Sequence, residues 1–309
     1  MLTVLGPSPS IDITYQVDDY RLGEIHRPTT VARCAGGKAL NMARAARRMG
    51  ADVALTTVVG GASGDWIVTE LEAEGVRTAA VSSPQETRTC VSVSSTATGS
   101  LTEIYEHAPT TDPEIWQRLV ARTGELLADR PGWLSTSGSM PRNLPDDALA
   151  EVVRLGHRHG VRVAVDSSGR TLTAALAEKP ALVKVNRAEA SAELGIDPSG
   201  DLGAMARSLA AVTDGLVVLT DGADGAVGFD GHDLVRAELA QVRGTFPVGS
   251  GDSFLGGLLT GLDRGDSLAD GLRWAMACGT ANALVPGAGR FEARVAEKLA
   301  ARVSLRPAG

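Results

Sequence analysis

Small residues precede an acidic one at the start of an apolar helical pattern, in the segment F-P-V-G-S-G-D-S-F (Phe246–Phe254). The first turn of a helix presents unpaired N–H groups and a partial positive charge, and glycines let an anion approach that backbone closely. Gly249, Ser250 and Gly251 therefore predict an anion-binding turn. Asp252 follows it, and a carboxylate beside a bound phosphate can accept the proton of an attacking hydroxyl.

Two other interpretations of this segment are an N-cap and a nucleophilic serine. Asp252 or Ser253 could act only as an N-cap, because short polar side chains commonly cap helices. A nucleophilic serine is not supported, because the pattern G-x-S-x-G is not met. The chain also contains no G-x-x-x-x-G-K-[ST] loop, so a nucleotide would have to be held in another way.

A second glycine-rich stretch, C-A-G-G-K-A-L-N (Cys34–Asn41), opens another helical pattern. It adds two donors, Lys38 and Asn41, to a turn of the same kind. Alone, G-G-K can be simple turn chemistry. Together with Asp12, which follows the first predicted strand, it indicates a polyol site, because carboxylate and amide side chains fix hydroxyl groups and a lysine can bind an anion.

Two later segments lie where predicted strands end. In K-V-N-R-A-E (Lys184–Glu189), Asn186 and Glu189 stand three apart at a helix start. That spacing is typical of a capping box, and a cap beside a nucleotide can also hold water around Mg²⁺. In L-T-D-G-A-D-G-A (Leu219–Ala226), the D-G steps predict either a hairpin into Ala226–Phe229 or a wall of a ligand crevice.

Two weaker signals are the segment Ser135–Pro141 and the residue Arg88. S-T-S-G-S-M-P follows a predicted strand and, by itself, indicates only a loop at the carboxyl edge of a sheet. Arg88 lies on a β segment, T-R-T-C-V, where an arginine is usually solvated.

The composition limits the partners of the chain. A net charge of −7 and only 4% aromatic residues disfavour nucleic acid and anionic membranes as main partners. Cys34, Cys90 and Cys278 have no C-x-x-C spacing, so neither a zinc site nor a disulfide framework is expected. The sequence shows neither a signal-peptide pattern nor an apolar run long enough for a membrane span, so we expect a cytoplasmic location.

The remaining pattern predicts the elements that must position these residues. Short apolar β-branched runs alternate with helical patterns, which favours an α/β fold with a doubly wound, mostly parallel sheet flanked by helices. The predicted strands are Leu2–Leu5, Val53–Val59, Trp133–Ser137, Arg162–Asp166, Leu182–Val185 and Leu216–Thr220. The predicted helices are Leu40–Met49, Asp65–Glu74, Glu114–Leu127, Asp146–His159, Thr171–Ala177, Ala188–Leu194 and Leu202–Val212.

Two regions, Asp12–Ala35 and Thr87–Glu106, break this alternation. Both have the polar alternation of β segments, and neither is followed by a crossover helix of its own. They are expected to pair into a small separate sheet, a lid built from two insertions. One face of such a sheet is exposed and must be covered by a ligand or by another subunit. Because no long linker or repeat interrupts the chain, residues 1–309 are expected to form a single domain.

Taken together, these motifs resemble the ribokinase-type (PfkB) carbohydrate kinase family over nearly the whole chain. G-G-K-A-L-N-M-A-R (Gly36–Arg44) is similar to the family's first signature. V-G-S-G-D-S-F-L-G-G (Val248–Gly257) is similar to the second, whose G-A-G-D core carries the catalytic aspartate. K-V-N-R-A-E resembles the family's lysine-proline-asparagine-x-x-glutamate segment, and L-T-D-G-A-D-G-A its nucleotide-contacting turn.

Within the family the chain is most similar to the phosphosugar branch of 1-phosphofructokinases and tagatose-6-phosphate kinases. The segments P-S-P-S-I-D, R-L-G-E-I-H-R, T-R-T-C-V and V-D-S-S-G carry this resemblance. It implies an ATP- and Mg²⁺-dependent kinase of a ketohexose phosphate, with fructose 1-phosphate as the expected substrate and the 1,6-bisphosphate as product. The alternatives are tagatose 6-phosphate or fructose 6-phosphate, an unphosphorylated sugar or nucleoside, and a non-catalytic sugar-binding role. A dinucleotide oxidoreductase is disfavoured, because no G-x-G-x-x-G follows the first strand.

The resemblance also implies roles for individual residues. Asp252 would be the general base, and the anion hole would be formed by Gly249, Ser250 and Gly251. Lys38 and Arg88 would hold the phosphate of the sugar. The sugar phosphate as a whole would be bound by Asp12, Gly36, Gly37, Lys38, Asn41, Arg88 and Ser137. The nucleotide would be bound by Lys184, Asn186, Glu189, Thr220, Gly222, Gly225 and Asn282. Glu189 would also hold Mg²⁺ through water, and the lids of two chains would meet in a homodimer.

Four positions depart from the family pattern. Ser250 replaces an alanine in the anion hole, where the backbone N–H is the required group. Ala39 stands where a third glycine is usual and narrows the approach to the sugar. Pro247 replaces a threonine near the phosphates, and Val185 replaces a proline. None of the four removes a group that the chemistry needs.

Overall fold

The computed structural model describes residues 1–129, 132–138, 140–141, 143–213, 215–240 and 242–308. Ser139, within the predicted loop Ser135–Pro141, lies outside the described residues. The strands are β1 (Leu2–Gly6), β2 (Ser10–Val17), β3 (Thr30–Gly36), β4 (Val53–Val59), β5 (Arg77–Ser82), β6 (Thr89–Ser95), β7 (Leu101–Tyr105), β8 (Trp133–Ser137), β9 (Arg162–Asp166), β10 (Leu182–Asn186), β11 (Leu216–Thr220), β12 (Ala226–Phe229), β13 (Leu234–Glu238) and β14 (Ser304–Pro307). The helices are α1 (Lys38–Arg48), α2 (Gly61–Ala73), α3 (Pro113–Asp129), α4 (Ala148–Arg158), α5 (Gly169–Ala177), α6 (Arg187–Leu194), α7 (Leu202–Thr213), α8 (Ser250–Arg264), α9 (Leu268–Ala283) and α10 (Ala293–Ala300).

Among the described residues the large sheet has ten strands in the order β14-β13-β12-β11-β10-β9-β8-β1-β4-β5. The seven strands from β5 to β11 along this order are mutually parallel, and β12, β13 and β14 add antiparallel strands at one edge. Successive residues of β1 face opposite sides: Val4 packs into one hydrophobic cluster and Leu5 into the other. The predicted doubly wound, mostly parallel fold is confirmed.

The sequence located the buried strands better than the exposed ones. All six predicted strands agree with the structure to within one residue, because strands buried on both faces read as continuous apolar runs. The edge strand β5, R-T-A-A-V-S, was missed, since small and polar residues on a half-exposed edge leave no such run. Helix α2 begins at Gly61, four residues before its predicted start, because G-A-S-G carries no apolar period.

A second sheet of four strands has the order β3-β2-β6-β7 and arises from the two segments that break the α/β alternation. We call it the small sheet. Asp12 on β2 stands opposite Cys34 on β3 and Cys90 on β6, so these three side chains share one face. The predicted small β-sheet is therefore confirmed. Among the described residues, no helix is both long and apolar enough to cross a membrane.

Helix α8 approaches its neighbours through glycines. A Cβ on Gly256 would lie 2.8 Å from the carbonyl oxygen of Met42 in α1, and one on Gly257 would lie 2.7 Å from that of Trp274 in α9. Only residues without a side chain allow such close approach. The contact with α1 brings the first turns of α1 and α8 together, and Asn41 and Asp252 lie on those two turns.

Candidate active site

A cavity of about 830 Å³ opens where the strands of the large sheet end, between the first turns of α1 and α8 and the small sheet. Crevices at the carboxyl ends of the strands are the usual ligand sites of such folds. Most of the residues predicted for the site line this cavity: Asp12, Gly37, Lys38, Asn41, Arg88, Ser137, Lys184, Asn186, Glu189, Thr220, Gly222, Gly225, Gly249, Ser250, Gly251 and Asp252. Gly36 and Asn282 are not among its lining residues.

Asp252 is a buried carboxylate in the first turn of α8, with 6% of its surface exposed. Its Oδ2 accepts a hydrogen bond of 2.9 Å from the Asn41 amide. Burial, assisted by the negative charge of Asp166, raises the pKa of Asp252 to about 6, although the Asn41 bond and the nearby lysines oppose the shift. A carboxylate with a pKa near the working pH is suited to accept a proton.

The turn before Asp252 has the backbone of an anion site. Gly249 is the N-cap of α8 and adopts a left-handed conformation with φ 79°. A Cβ at this position would lie 2.3 Å from the Cβ of Ala288, so the segment around Ala288 packs directly against the turn. The Ser250 N–H, expected to bind the anion, instead donates to the Pro247 carbonyl at 3.1 Å, and the Ser253 N–H donates to the Gly249 carbonyl at 2.8 Å. The N–H groups of Gly251 and Asp252, in the first turn of α8, are the ones suited to an anion.

Asn282 supports this turn from behind. It is fully buried; its Nδ2 donates to the Val248 carbonyl at 2.8 Å and to Ser250 Oγ at 3.1 Å. Its Oδ1 accepts from Ser253 Oγ at 3.1 Å and from the Gly289 N–H at 2.7 Å. These four bonds use the whole amide. The structure therefore places Asn282 as a support of the anion turn, where direct contact with a nucleotide had been predicted.

Two lysines and two further carboxylates meet beside Asp252. Lys184 Nζ lies 2.9 Å from Asp166 Oδ2, and both side chains are buried. Lys38 Nζ lies 4.0 Å from Asp166 Oδ1 and 3.8 Å from Glu189 Oε1. The negative charge of Asp166, chiefly, raises the pKa of Lys38. Asp166 Oδ1 is buried and accepts no hydrogen bond among the described residues, so this oxygen is available to accept one from a ligand.

Asn186 and Glu189 form the capping box that one interpretation predicted. Asn186 Oδ1 accepts from the Glu189 N–H and Glu189 Oε2 from the Asn186 N–H, each at 2.9 Å. The second oxygen of Glu189 faces Lys38 at the cavity. Both interpretations of this segment are therefore compatible with the structure.

Asp12 stands on the wall of the cavity formed by the small sheet. Its Oδ1 accepts from Ser10 Oγ at 2.6 Å, and burial is the main cause that raises its pKa. A Cβ on Gly36 would lie 2.0 Å from the Asp12 carboxyl carbon, so Gly36 makes room for this carboxylate. Gly37, with φ 100°, forms the turn into α1. Gly36 thus contributes to the site indirectly, by leaving space for the Asp12 side chain.

Arg88 lies on the same wall, partly buried. Its guanidinium donates to the main-chain carbonyls of Glu106 at 3.0 Å and of Ser8 and Pro9 at 3.4 Å. None of the described ion pairs involves Arg88. A cation held by neutral carbonyls keeps its charge for a ligand, which suits a phosphate.

The other end of the cavity is the turn between β11 and β12. The two strands are antiparallel, so the predicted hairpin into Ala226–Phe229 is confirmed. Arg187 fixes the turn by two bonds to the Asp221 carboxylate, at 2.9 and 2.7 Å. Thr220, Gly222 and Gly225 face the cavity, as the crevice interpretation predicted.

The sequence left out several residues of the cavity. Asp166 ends a buried strand, and an acid at the carboxyl end of a parallel strand could have singled it out. Glu103 and Tyr105 of β7 line the cavity, but a polar alternating strand does not reveal which face is covered. Arg243 lines it from an irregular segment with no local pattern.

Comparison with known proteins places the chain among sugar kinases. A family model described as pfkB family carbohydrate kinase matches residues 7–294. A tagatose-6-phosphate kinase of Staphylococcus epidermidis is 30% identical over 292 residues, which cover 92% of each chain. Phosphofructokinase-2 of Escherichia coli, solved with substrates and products, superposes with a TM-score of 0.89 at 27% identity, covering 97% of this chain and 98% of that one.

A Thermotoga maritima structure, described as a possible 1-phosphofructokinase, superposes with a TM-score of 0.91 at 20% identity. It covers the whole length of both chains. At this identity the likeness concerns the fold alone.

The raised pKa of Asp252 predicts a pH-dependent cost to stability. The folded chain binds this proton more tightly than the unfolded one, for which the value is 3.8. The cost of burying the ionised carboxylate is therefore absent below pH 3.8 and fully present above about pH 6. We expect Asp252→Asn to gain free energy of unfolding over the wild type as the pH rises from 4 to 7, by up to about 3 kcal/mol. Urea unfolding at several pH values measures this difference, and a difference that is constant with pH would contradict the prediction.

Proposed function

Since the chain belongs to the pfkB family of carbohydrate kinases, we propose that it transfers the γ-phosphoryl group of ATP to a hydroxyl of a ketohexose monophosphate. Fructose 1-phosphate is the first candidate substrate, with fructose 1,6-bisphosphate as product. One observation carries the proposal: a single cavity holds a buried carboxylate with a raised pKa, Asp252, and a cation bonded to main-chain carbonyls, Arg88. The first suits a proton acceptor and the second an existing phosphate.

The residues of the chain would act mainly by position and charge. Asp252 accepts the proton of the attacking hydroxyl at its carboxylate, while the Asn41 amide holds that carboxylate in place. The first N–H groups of α8 stabilise the negative charge of the group in transfer. The small sheet lines one wall of the cavity and would limit the access of water, and so hydrolysis, when the substrates are bound.

The charged cluster fits a magnesium nucleotide. With Asp252 ionised, the two lysines and the three carboxylates Asp166, Glu189 and Asp252 sum to one negative charge. Phosphates then need a divalent cation there, and the unpartnered Asp166 oxygen suits a hard cation or its water. Bound ATP supplies the phosphoryl group, and Mg²⁺ neutralises its phosphates.

Lys38 and Lys184 would face the phosphates, and the turn at Thr220, Gly222 and Gly225 would hold the rest of the nucleotide. Lys38 had been predicted to hold the phosphate of the sugar. Its position between Asp166 and Glu189 favours the transferring group instead.

A second candidate substrate is tagatose 6-phosphate. The specific observation in its favour is the 30% identity to the tagatose-6-phosphate kinase over 92% of each chain. Release of ADP with fructose 1-phosphate, tagatose 6-phosphate, fructose 6-phosphate and free fructose, each titrated separately, tests the proposal. The highest kcat/KM with one of the three phosphates supports it. Preference for the free sugar, or no turnover with any of the four, would overturn it.

Arg88 separates a phosphosugar kinase from a kinase of free sugars. We expect Arg88→Ala to lower kcat/KM for the preferred sugar phosphate by about 10²-fold, as for a lost charge-assisted pair, mainly through a higher KM. Turnover of an unphosphorylated sugar should be little changed. Arg47→Ala is a matched control, because the Arg47 guanidinium also donates to a main-chain carbonyl, that of Gly75 at 2.9 Å, but Arg47 does not line the cavity. An unchanged kcat/KM in Arg88→Ala would exclude the assigned role.

We further propose a homodimer that buries the outer face of the small sheet. Residues alternate along β2, so Ile13 and Tyr15 face away from Asp12. Across the strands, Val91 and Ile104 share the row of Ile13. Val31 and Ile104 are 52% and 61% exposed, an apolar surface that a second copy of the chain would cover.

A charge in this apolar face should separate the two copies. We expect Ile104→Glu to be monomeric at concentrations where the wild type is dimeric, because the carboxylate would be buried at the interface. Light scattering after size-exclusion chromatography measures the mass. Ile196→Glu is the control, since Ile196 is also an exposed isoleucine, at 46%, but lies outside the small sheet. A monomeric wild type, or a dimeric Ile104→Glu, would contradict this interface.

A further inference from the structure

Arg44 is a buried cation next to the site without a role in the chemistry described above. It lies one turn after Asn41 on α1, and only 1% of it is exposed. Arginine is almost never fully buried unless it is paired. Its partners should therefore show what keeps it there.

The guanidinium joins four parts of the chain. Nε donates to Glu74 Oε2 at the end of α2, at 2.5 Å, and Nη2 donates to the Ala35 carbonyl at the end of β3. Nη1 donates to the Ala288 carbonyl at 2.9 Å and to Asn41 Oδ1 at 3.3 Å. The last of these contacts reaches the residue that binds Asp252.

The two neighbours of Asn41 determine which way its amide points. A guanidinium only donates hydrogen bonds, and an ionised carboxylate only accepts them. With Arg44 on one side and Asp252 on the other, Oδ1 must face the arginine and Nδ2 the aspartate. Without Arg44 the amide could rotate by half a turn, and its oxygen would then repel the ionised carboxylate.

Through its bond to Ala288, Arg44 also contacts the segment that supports the turn Gly249–Gly251. Gly289, the next residue, donates to Asn282 Oδ1, and Asn282 holds Val248 and Ser250. Ala288 itself packs against Gly249. Arg44 therefore holds the segment that supports the turn before Asp252.

We propose that Arg44 is a positioning residue, whose guanidinium fixes the Asn41 amide with its NH₂ group toward Asp252. The inference rests on the proposed function, because Asp252 matters as a proton acceptor. Arg44 would act through Asn41 and would need no contact with the substrate.

The pH profile of kcat/KM distinguishes this role from a purely structural one. For the wild type, loss of activity on the acid side should follow the protonation of Asp252, with a midpoint near its pKa of about 6. In Arg44→Met a rotated amide would favour the protonated carboxyl, so the midpoint should move to higher pH and kcat/KM at pH 7 should fall by about tenfold or more. Arg44→Lys, which keeps one donor, should recover part of the loss.

Two further variants guard against misfolding and local damage. In Arg44→Met the described ion pair that Glu74 keeps is the one with Arg290, at 3.2 Å. Arg44→Met/Glu74→Leu therefore removes the carboxylate as well. Arg48→Met is the matched control: Arg48 lies on the same helix and donates to the Phe291 carbonyl at 3.3 Å, without contact to Asn41. It should leave the acid midpoint in place.

A double-mutant cycle tests whether Arg44 acts through Asn41. If it does, Arg44→Met should lower kcat/KM by less than about twofold when added to Asn41→Leu, although it costs tenfold in the wild type. Full additivity, or an acid midpoint that stays in place in both Arg44 variants, would overturn the inference.

Unfolding provides a readout that does not need a substrate. The pH dependence of the difference in unfolding free energy between Arg44→Met and Arg44→Met/Asp252→Asn reports the titration of Asp252. We expect this titration at higher pH than the one obtained by comparing the wild type with Asp252→Asn. The expectation holds even if the proposed kinase activity fails for every sugar phosphate. A shift without turnover would defeat the proposed function alone, and turnover without a shift would defeat the role of Arg44.

Discussion

The hydrogen bond between Asn41 and Asp252 is the contact around which the site is built. It joins the first turns of two helices that lie 211 positions apart in sequence. The glycine contact between α8 and α1 makes this possible, because a side chain at Gly256 would push the helices apart. Once the two turns meet, the carboxylate, the anion turn and the glycine pair before α1 necessarily face one cavity.

Burial raises the pKa of Asp252, and it also lowers the stability of the folded chain when this carboxylate is ionised. The raised pKa of Asp252 makes it a better proton acceptor near neutral pH, while the ionised form is less well accommodated than in water. Lys184, Lys38 and the Asn41 amide limit that cost without removing it. The arrangement is typical of sites where stability is given up for function. Asp166 belongs to the same balance, because it pairs with Lys184 and opposes the ionisation of Asp252.

The features that could be predicted from the sequence are those formed by residues that are neighbours along the chain. The parallel core strands, the glycine turn that opens α8 and the capping box at Asn186 each follow from a run of neighbouring residues. Arg44 and Asp166 escaped notice as site residues, because their partners come from distant elements. Asn282 was identified, but its support of the turn depends on Val248, Ser250 and Gly289 meeting around one amide. Contacts among residues from distant parts of the sequence form only when the chain is folded, so no local sequence pattern indicates them.

The central claim is that Asp252 accepts the proton of the acceptor hydroxyl. The most direct measurement is kcat of Asp252→Asn with saturating ATP, Mg²⁺ and the preferred sugar phosphate. Asparagine keeps the shape of the side chain but cannot take up the proton, so kcat should fall by about 10²- to 10⁴-fold while the KM for the sugar phosphate changes little. Full turnover by Asp252→Asn would contradict the account.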